Sequence, residues 1–209
     1  MATRGRLLAL EGIDGCGKST QARALSQALG ARLTHEPGAT ALGDTLRQIL
    51  LAPDAPAVSP RSEALLMAAD RAEHVALVLE PALTAGEWVV SDRFSGSTMA
   101  YQGYGRGLPI SELSALVAWA TAGLVADLSI LVDVTVDVAG ARLDPGARDR
   151  LEGLGPEFAG RVRDGFLAQA AQDPEHWVVV DGTMEERALT TSLVEIVRQR
   201  FGPPPRGAR

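Results

Sequence analysis

The sequence predicts a three-layer α/β fold, with a parallel five-stranded sheet, helices on both faces and a small lid. Three observations lead there. Four short apolar runs, at 6–11, 88–92, 128–133 and 177–181, lack the polar alternation of a half-exposed strand, which suits parallel strands buried on both faces. Longer stretches with helical spacing lie between them, notably 59–85, 111–123 and 184–201. Three of the runs, WVVSD, LSILVD and WVVVD, also end on aspartate. Strand alternating with helix, joined by right-handed crossovers, is the arrangement that buries all of this apolar surface.

Taken in order, RLLALE (6–11) reads as the first strand. A glycine loop follows, and then a helix with Ala22, Leu25, Ala28 and Leu29 on one face. RLTH (32–35) is a short strand before the turn EPG. The interval 136–166 breaks the alternation, being rich in arginine, aspartate and glycine, and is expected to form a mobile lid. The proline-rich tail 202–209 is expected to be disordered, leaving 1–201 as one domain.

The bulk composition narrows the function. Apolar residues make up 46% and no run of about 18 apolar residues occurs, so no membrane span is expected. The first ten residues run straight into the glycine loop, without the apolar core and cleavage site of a secretion signal. The single cysteine, Cys16, has no internal partner, and a cytoplasmic home is expected. A net charge of -6 argues against extended contact with nucleic acid, so any anionic ligand must be held by local positive groups.

Those groups cluster at one motif. Gly12, Ile13, Asp14, Gly15, Cys16, Gly17, Lys18 and Ser19 spell G-x-x-x-x-G-K-[ST], between an expected strand and an expected helix. Glycines let backbone N–H groups close around phosphate oxygens, and the helix N-terminus adds a favourable dipole. Lys18 is expected to bridge the β- and γ-phosphates of ATP, Ser19 to carry Mg²⁺, and Thr20 to complete the nucleotide loop. Lys18 is also the only lysine among 20 basic residues, in a chain that otherwise uses arginine. Its retention points to a task that arginine does not perform. Asp92, at the end of an apolar run, is the expected acidic group near the metal; as residues alone, Asp92 and Arg93 also read as a plain ion pair.

Four stretches, EGIDGCGKST (11–20), HEPGATALGDTLRQILL (35–51), LLMAADRAEH (65–74) and SDRFSGSTMAYQGYGRGL (91–108), resemble thymidylate kinases, and the likeness runs over about residues 5 to 200. The resemblance implies phosphoryl transfer from ATP to dTMP, with Mg²⁺, by a homodimer. It also implies roles. Asp14 meets the sugar 3′-hydroxyl, Arg47 and Arg93 hold the acceptor phosphate, and Arg71 reads the thymine edge. Ser97, Thr98 and Gln102 line the acceptor pocket, and Tyr101 fills the space a ribose 2′-hydroxyl would need. Without the resemblance, Arg47 and Arg71 can also be read as solvated helical arginines and Tyr101 as core.

The sequence departs from that family's pattern in places. Met67 stands where a phenylalanine commonly stacks on thymine, His35 replaces an arginine, and Ala39 replaces a glycine. Some members carry a catalytic arginine in the glycine loop, but Gly15 occupies that position here. The charge is then expected from Arg142, Arg148 or Arg150 in the lid, beside Lys18 and Arg93. Two rival readings remain at this point. A deoxynucleoside kinase would need a carboxylate base, for which Glu11 is placed, and a nucleotide-dependent switch would need a partner.

Overall fold

The computed structural model describes residues 4–52, 54–144 and 150–203. The expected strands form within a residue of their expected ends: β1 (Leu7–Glu11), β2 (Arg32–His35), β3 (Val89–Asp92), β4 (Leu128–Asp133) and β5 (Trp177–Asp181). They pair in parallel in the order β2-β3-β1-β4-β5. The central strand shows why its run is apolar throughout. Leu8 and Leu10 enter one buried cluster while Leu7 and Ala9 enter another, and all four are fully buried. A polar residue at any of them would meet no water.

Helices cover both faces. Ala22, Leu25 and Leu29 of α1 (Lys18–Leu29) share the first cluster with Leu189, Leu193 and Val197 of α9 (Glu186–Phe201). Ala28, expected on the same face, is exposed. Gln21 and Ser26 are buried instead, and Gln21 Nε2 donates to the Glu186 carbonyl at 3.0 Å, which joins the two helices. The second cluster lies under one long helical run. It consists of α3 (Pro60–His74), a wide π-type turn (Val75–Leu79) and α4 (Glu80–Thr84), the last two of which contribute Val75, Leu79, Ala82 and Leu83.

Two shorter helices carry site residues: α2 (Ala41–Leu51), capped by the Thr40 hydroxyl, and α5 (Ser95–Thr98), which continues into a π-type segment, Met99–Gly105. Next comes α6 (Ile110–Ala120). The stretch expected as a lid, 136–166, holds α7 (Val136–Arg142), a 3-10 turn (Glu152–Leu154) and the first part of α8 (Pro156–Gln172). Phe158, Val162 and Phe166 recur every fourth residue on α8 and lie in the first cluster, so this end of the stretch is part of the main body. Residues 145–149 lie outside the described residues, as do 204–209 of the expected disordered tail. Among the described residues no helix is long and apolar enough to cross a membrane.

Candidate active site

The loop between β1 and α1 leaves the C-terminal end of the central strand, where ligand crevices of parallel sheets open. Its course demands glycine at two positions. Gly12 has φ 143°, and a Cβ there would stand 2.7 Å from the Val132 carbonyl oxygen. Gly15 has φ 82°, and a Cβ there would stand 2.3 Å from the Ala139 carbonyl oxygen on α7. An arginine at position 15 is therefore excluded unless α7 moves. No side chain caps the first turn of α1, so its N-terminal dipole faces the loop.

Four side chains close the site's centre. Lys18 Nζ donates to Asp14 Oδ1 at 2.9 Å and approaches the Ile13 carbonyl at 3.5 Å. Arg93 also donates to Asp14 Oδ1, through Nη2, and to Tyr101 Oη at 2.9 Å. Its Nη1 donates to the Gly12 carbonyl at 2.9 Å. Tyr101 Oη in turn donates to Asp14 Oδ2 at 2.7 Å. Burial alone would raise the Asp14 carboxyl, but the Arg93 and Lys18 cations outweigh it and hold it well below the usual carboxylate range. Burial likewise works against the Arg93 charge, and Asp14 reverses it. Arg93 reaches this position from a backbone with φ 73°, a strained conformation for a side-chain-bearing residue and one typical of functional sites.

A cleft opens beside this group. Asp14, Arg47, Met67, Arg71, Arg93, Ser97, Thr98, Tyr101 and Gln102 all line it, so every residue expected to bind the acceptor faces one space. Arg71 is buried, not a solvated arginine: it donates to Glu36 Oε2 at 2.8 Å, Thr98 Oγ1 at 2.6 Å and the Phe94 carbonyl at 3.0 Å. Of its five N–H groups these use three, which leaves two for a ligand. Glu36 is held from behind by His74 Nδ1 at 2.8 Å, and His74 Nε2 meets Thr34 Oγ1 at 2.7 Å. Glu36, Pro37, Leu51, Asp70 and Leu151 also line the cleft and were not expected there. The quoted stretches contain all of these but Leu151, but no spacing rule marks a carboxylate such as Glu36 as buried.

Glu11 is fully buried and accepts from the backbone N–H of Phe94 and Ser97, at 3.0 and 3.2 Å, and from Ser97 Oγ at 2.6 Å. It caps the start of α5 and orients Ser97, to which Arg93 Nη1 donates at 3.1 Å. Burial pushes its carboxyl up to about 7, against the pull of the Ser97 hydrogen bond and Arg93. Asp92 lies next to β1 in the sheet, and its Oδ1 is buried with no hydrogen-bond partner among the described residues. Ser19 is exposed in the first turn of α1. No group of three or more His, Cys, Asp or Glu side chains gathers to hold a metal among the described residues.

The family model for thymidylate kinase matches residues 10–193. The chain belongs to this family. Its relatives include thymidylate kinases of Prochlorococcus marinus (strain MIT 9303), 46% identical over 95% of this chain and 96% of that one, and of Cupriavidus metallidurans, 44% identical over 93% and 98%. The solved structure of a thymidylate kinase from Ehrlichia chaffeensis is similar with a TM-score of 0.73, at 31% identity, over 93% of this chain and 99% of that one.

Met67, which the resemblance places where a phenylalanine was expected, lines the cleft. Of the three arginines expected in a lid, the two described, Arg142 and Arg150, sit apart. Arg142 Nη1 donates to the Gly182 carbonyl at 3.1 Å and the Cys16 carbonyl at 3.4 Å, beside the loop, in a second cleft with Gly17, Thr20 and Gln21. Arg150 is held on the acceptor side, by Glu63 and the Leu50 carbonyl. Arg148 lies outside the described residues.

Proposed function

We infer that this chain transfers the γ-phosphoryl group of ATP to dTMP, giving dTDP and ADP. The observation that carries the reading is the convergence of all nine expected acceptor residues on one cleft that shares Asp14 and Arg93 with the glycine loop. The acceptor is a phosphate already ionised at neutral pH, so no residue need take a proton from the attacking oxygen. What the site must supply is positive charge between two approaching anions. Lys18 and Arg93 meet there, with Asp14 orienting both, and Arg47 extends from α2 with Nη1 2.9 Å from the Pro37 carbonyl. The two spare N–H groups of Arg71, with Thr98 and Gln102, suit the polar edge of a base, and Met67 its face. Arg142 is the described lid arginine bonded to the loop and is assigned to the donor side.

The residues present fit a divalent cation on the donor phosphates. Asp92 offers an unsatisfied buried oxygen and Ser19 an exposed hydroxyl, and phosphate oxygens would complete the shell. Mg²⁺ held by these two would neutralise charge on the β- and γ-phosphates. The rival nucleoside kinase loses support from Glu11, whose two oxygens are taken by three donors beneath α5. A homodimer is part of the same reading. Trp119, 83% exposed on α6, follows the half-buried Leu116 at helical spacing, and the exposed Leu65 of α3 adjoins Leu116. So is a cytoplasmic setting, in keeping with one buried, unpaired Cys16.

A coupled ADP assay tests the reading with dTMP, thymidine, dUMP, dGMP and dAMP offered in turn. ADP release is expected to depend on dTMP. Equal release with thymidine, or with no acceptor, would overturn it.

A further inference from the structure

Two helical runs meet beside the acceptor cleft with the same spacing. Glu63, Met67 and Arg71 recur every fourth residue on α3, and Thr98, Gln102 and Arg106 do so along α5 and the π-type segment after it. The two rows pair in antiparallel order. Arg71 Nη1 donates to Thr98 Oγ1 at 2.6 Å, and two turns earlier on α3 Glu63 Oε1 accepts from Gln102 Nε2 at 3.0 Å. Arg71, Met67, Thr98 and Gln102 line the cleft, whereas Glu63 stands behind Gln102, fully buried.

The charge state of Glu63 decides which way the Gln102 amide faces. Arg106 donates to Glu63 through Nε at 3.2 Å and Nη2 at 2.8 Å, and Arg150 through Nη2 at 2.7 Å. Burial works to raise this carboxyl, but hydrogen bonds from Arg106, Gln102 and Arg150 outweigh it and keep Glu63 ionised at neutral pH. An ionised carboxylate has no proton to give, so Gln102 must turn its NH₂ towards Glu63 and its carbonyl oxygen Oε1 away. Oε1 takes no hydrogen bond from the described residues. Nor is it sealed in, because Asp92 Oδ1 is the one enclosed side-chain polar atom without a partner among them. It opens on the acceptor cleft, which Gln102 lines.

The cleft therefore holds a fixed pattern: spare N–H donors on Arg71 and a carbonyl acceptor on Gln102. Thymine and uracil offer the complement, a carbonyl oxygen beside a ring N–H. Cytosine offers the reverse, an amino group beside a bare ring nitrogen, which sets donor against donor and acceptor against acceptor. A glutamine amide free to make a half-turn would serve either base. We propose that Glu63 is a positioning residue for base selection: by fixing the Gln102 amide, it commits the cleft to bases with a carbonyl group beside a ring N–H and against cytosine. This rests on the kinase reading above and deepens it. Glu63 does not line the cleft and acts through Gln102.

The test measures kcat/KM for dTMP, dUMP and dCMP, with a melting scan, on the wild-type chain, on Glu63→Gln and on the exchanged pair Glu63→Gln with Gln102→Glu. Wild type is expected to favour dTMP over dCMP by roughly 100-fold or more, as sites that leave polar groups unpaired with the wrong base do. The amide introduced by Glu63→Gln can give or take a hydrogen bond, so Gln102 is free to turn. The dTMP to dCMP ratio should then fall roughly 10-fold or more, while the dTMP to dUMP ratio stays within about twofold, because those two bases share one polar edge. The exchanged pair keeps one carboxylate, which can only accept, on the cleft side of the contact. Its dTMP to dCMP ratio should return to within about threefold of wild type, and it decides the matter if the single variant does not fold. A folded Glu63→Gln chain with a lower melting temperature and an unchanged dTMP to dCMP ratio would mean a merely structural role and overturn the proposal. So would loss of the preference in the exchanged pair, or a wild-type chain that uses dCMP as readily as dTMP. A wild-type chain without dTMP-dependent ADP release would overturn the kinase reading, and this inference with it; release that depends on dTMP without the base ratios described would overturn the inference alone.

Discussion

Replacing Lys18 with methionine removes one ammonium and keeps most of the stem. In the fold, the side chain is 7% exposed and its one ionic partner among the described residues is Asp14, itself 25% exposed and still held by Arg93 and Tyr101 after the change. Removing one member of a largely buried pair costs about 3–5 kcal/mol when the charge left behind is unpaired, and less here because Asp14 keeps Arg93 and Tyr101. Set against the roughly 5–15 kcal/mol of a typical domain, the fold survives. Turnover is a different matter. A unit charge about 4 Å from a developing phosphoryl charge, at the effective dielectric of a partly open site, is worth roughly 4 kcal/mol. Removing one preorganised donor from a charged transition state typically costs about 10²- to 10³-fold in kcat. Lys18→Met is therefore expected to lose at least about 10²-fold in dTMP-dependent ADP release, while a melting scan still shows a folded chain. A folded variant that retains turnover within about fivefold would refute the assignment of the ammonium to the phosphates, and with it the charge argument for the whole site.

Other changes test neighbouring parts. Tyr101→Phe removes the hydroxyl that donates to Asp14 Oδ2 at 2.7 Å but keeps the ring. Loss of a hydrogen bond to a charged group costs about 1.5–3 kcal/mol, so kcat/KM for dTMP should fall roughly 10-fold or more while preference over the ribonucleotide, set by the ring, stays; steady-state assays with both acceptors check this. Gly15→Ala forces a Cβ to within 2.3 Å of the Ala139 carbonyl at φ 82°, and strain of about 1–3 kcal/mol should lower the melting temperature and weaken ATP binding. Glu11 gives a pH signature. Its folded-state carboxyl sits near 7, above the ordinary 4.5, so the native state holds the proton more tightly than the unfolded chain. Its contribution to stability is full below about 4.5, falls as pH rises towards 7 and is level above. Glu11→Gln should abolish that part of the decline, and melting temperatures measured from pH 4.5 to 7.5 on both proteins would show it; parallel curves would remove the buried-carboxyl account.

The elements that the sequence announces most clearly are those with a local cause. Gly12, Gly15 and Gly17 all adopt positive φ, and the strand before them is apolar because β1 is covered on both faces. Residue-by-residue likeness to the family also singled out nine residues that share one cleft. Where the reading strayed, periodicity was weak or misleading. The arginine-rich start of 136–166 drew attention from Phe158, Val162 and Phe166, whose four-residue spacing places α8 in the core. Ala28 fits the helical face by spacing, yet Gln21 and Ser26 are buried instead, since a glutamine that bonds α9 satisfies its polar group there.

By itself, then, the amino-acid order determined the strands, the phosphate-binding turn and the family, because these depend on neighbours in the chain. Only the tertiary structure decided which charges lose their water. No motif marked Glu63, Glu36 or His74, yet they and Arg71 are each buried against partners 23 to 87 positions away. Arg150 is one of three arginines expected to supply charge from a lid, and only the fold shows that it bonds to α2 and α3. Whether a charge is solvated or paired depends on the full set of groups around it in space, and no stretch of sequence contains that set.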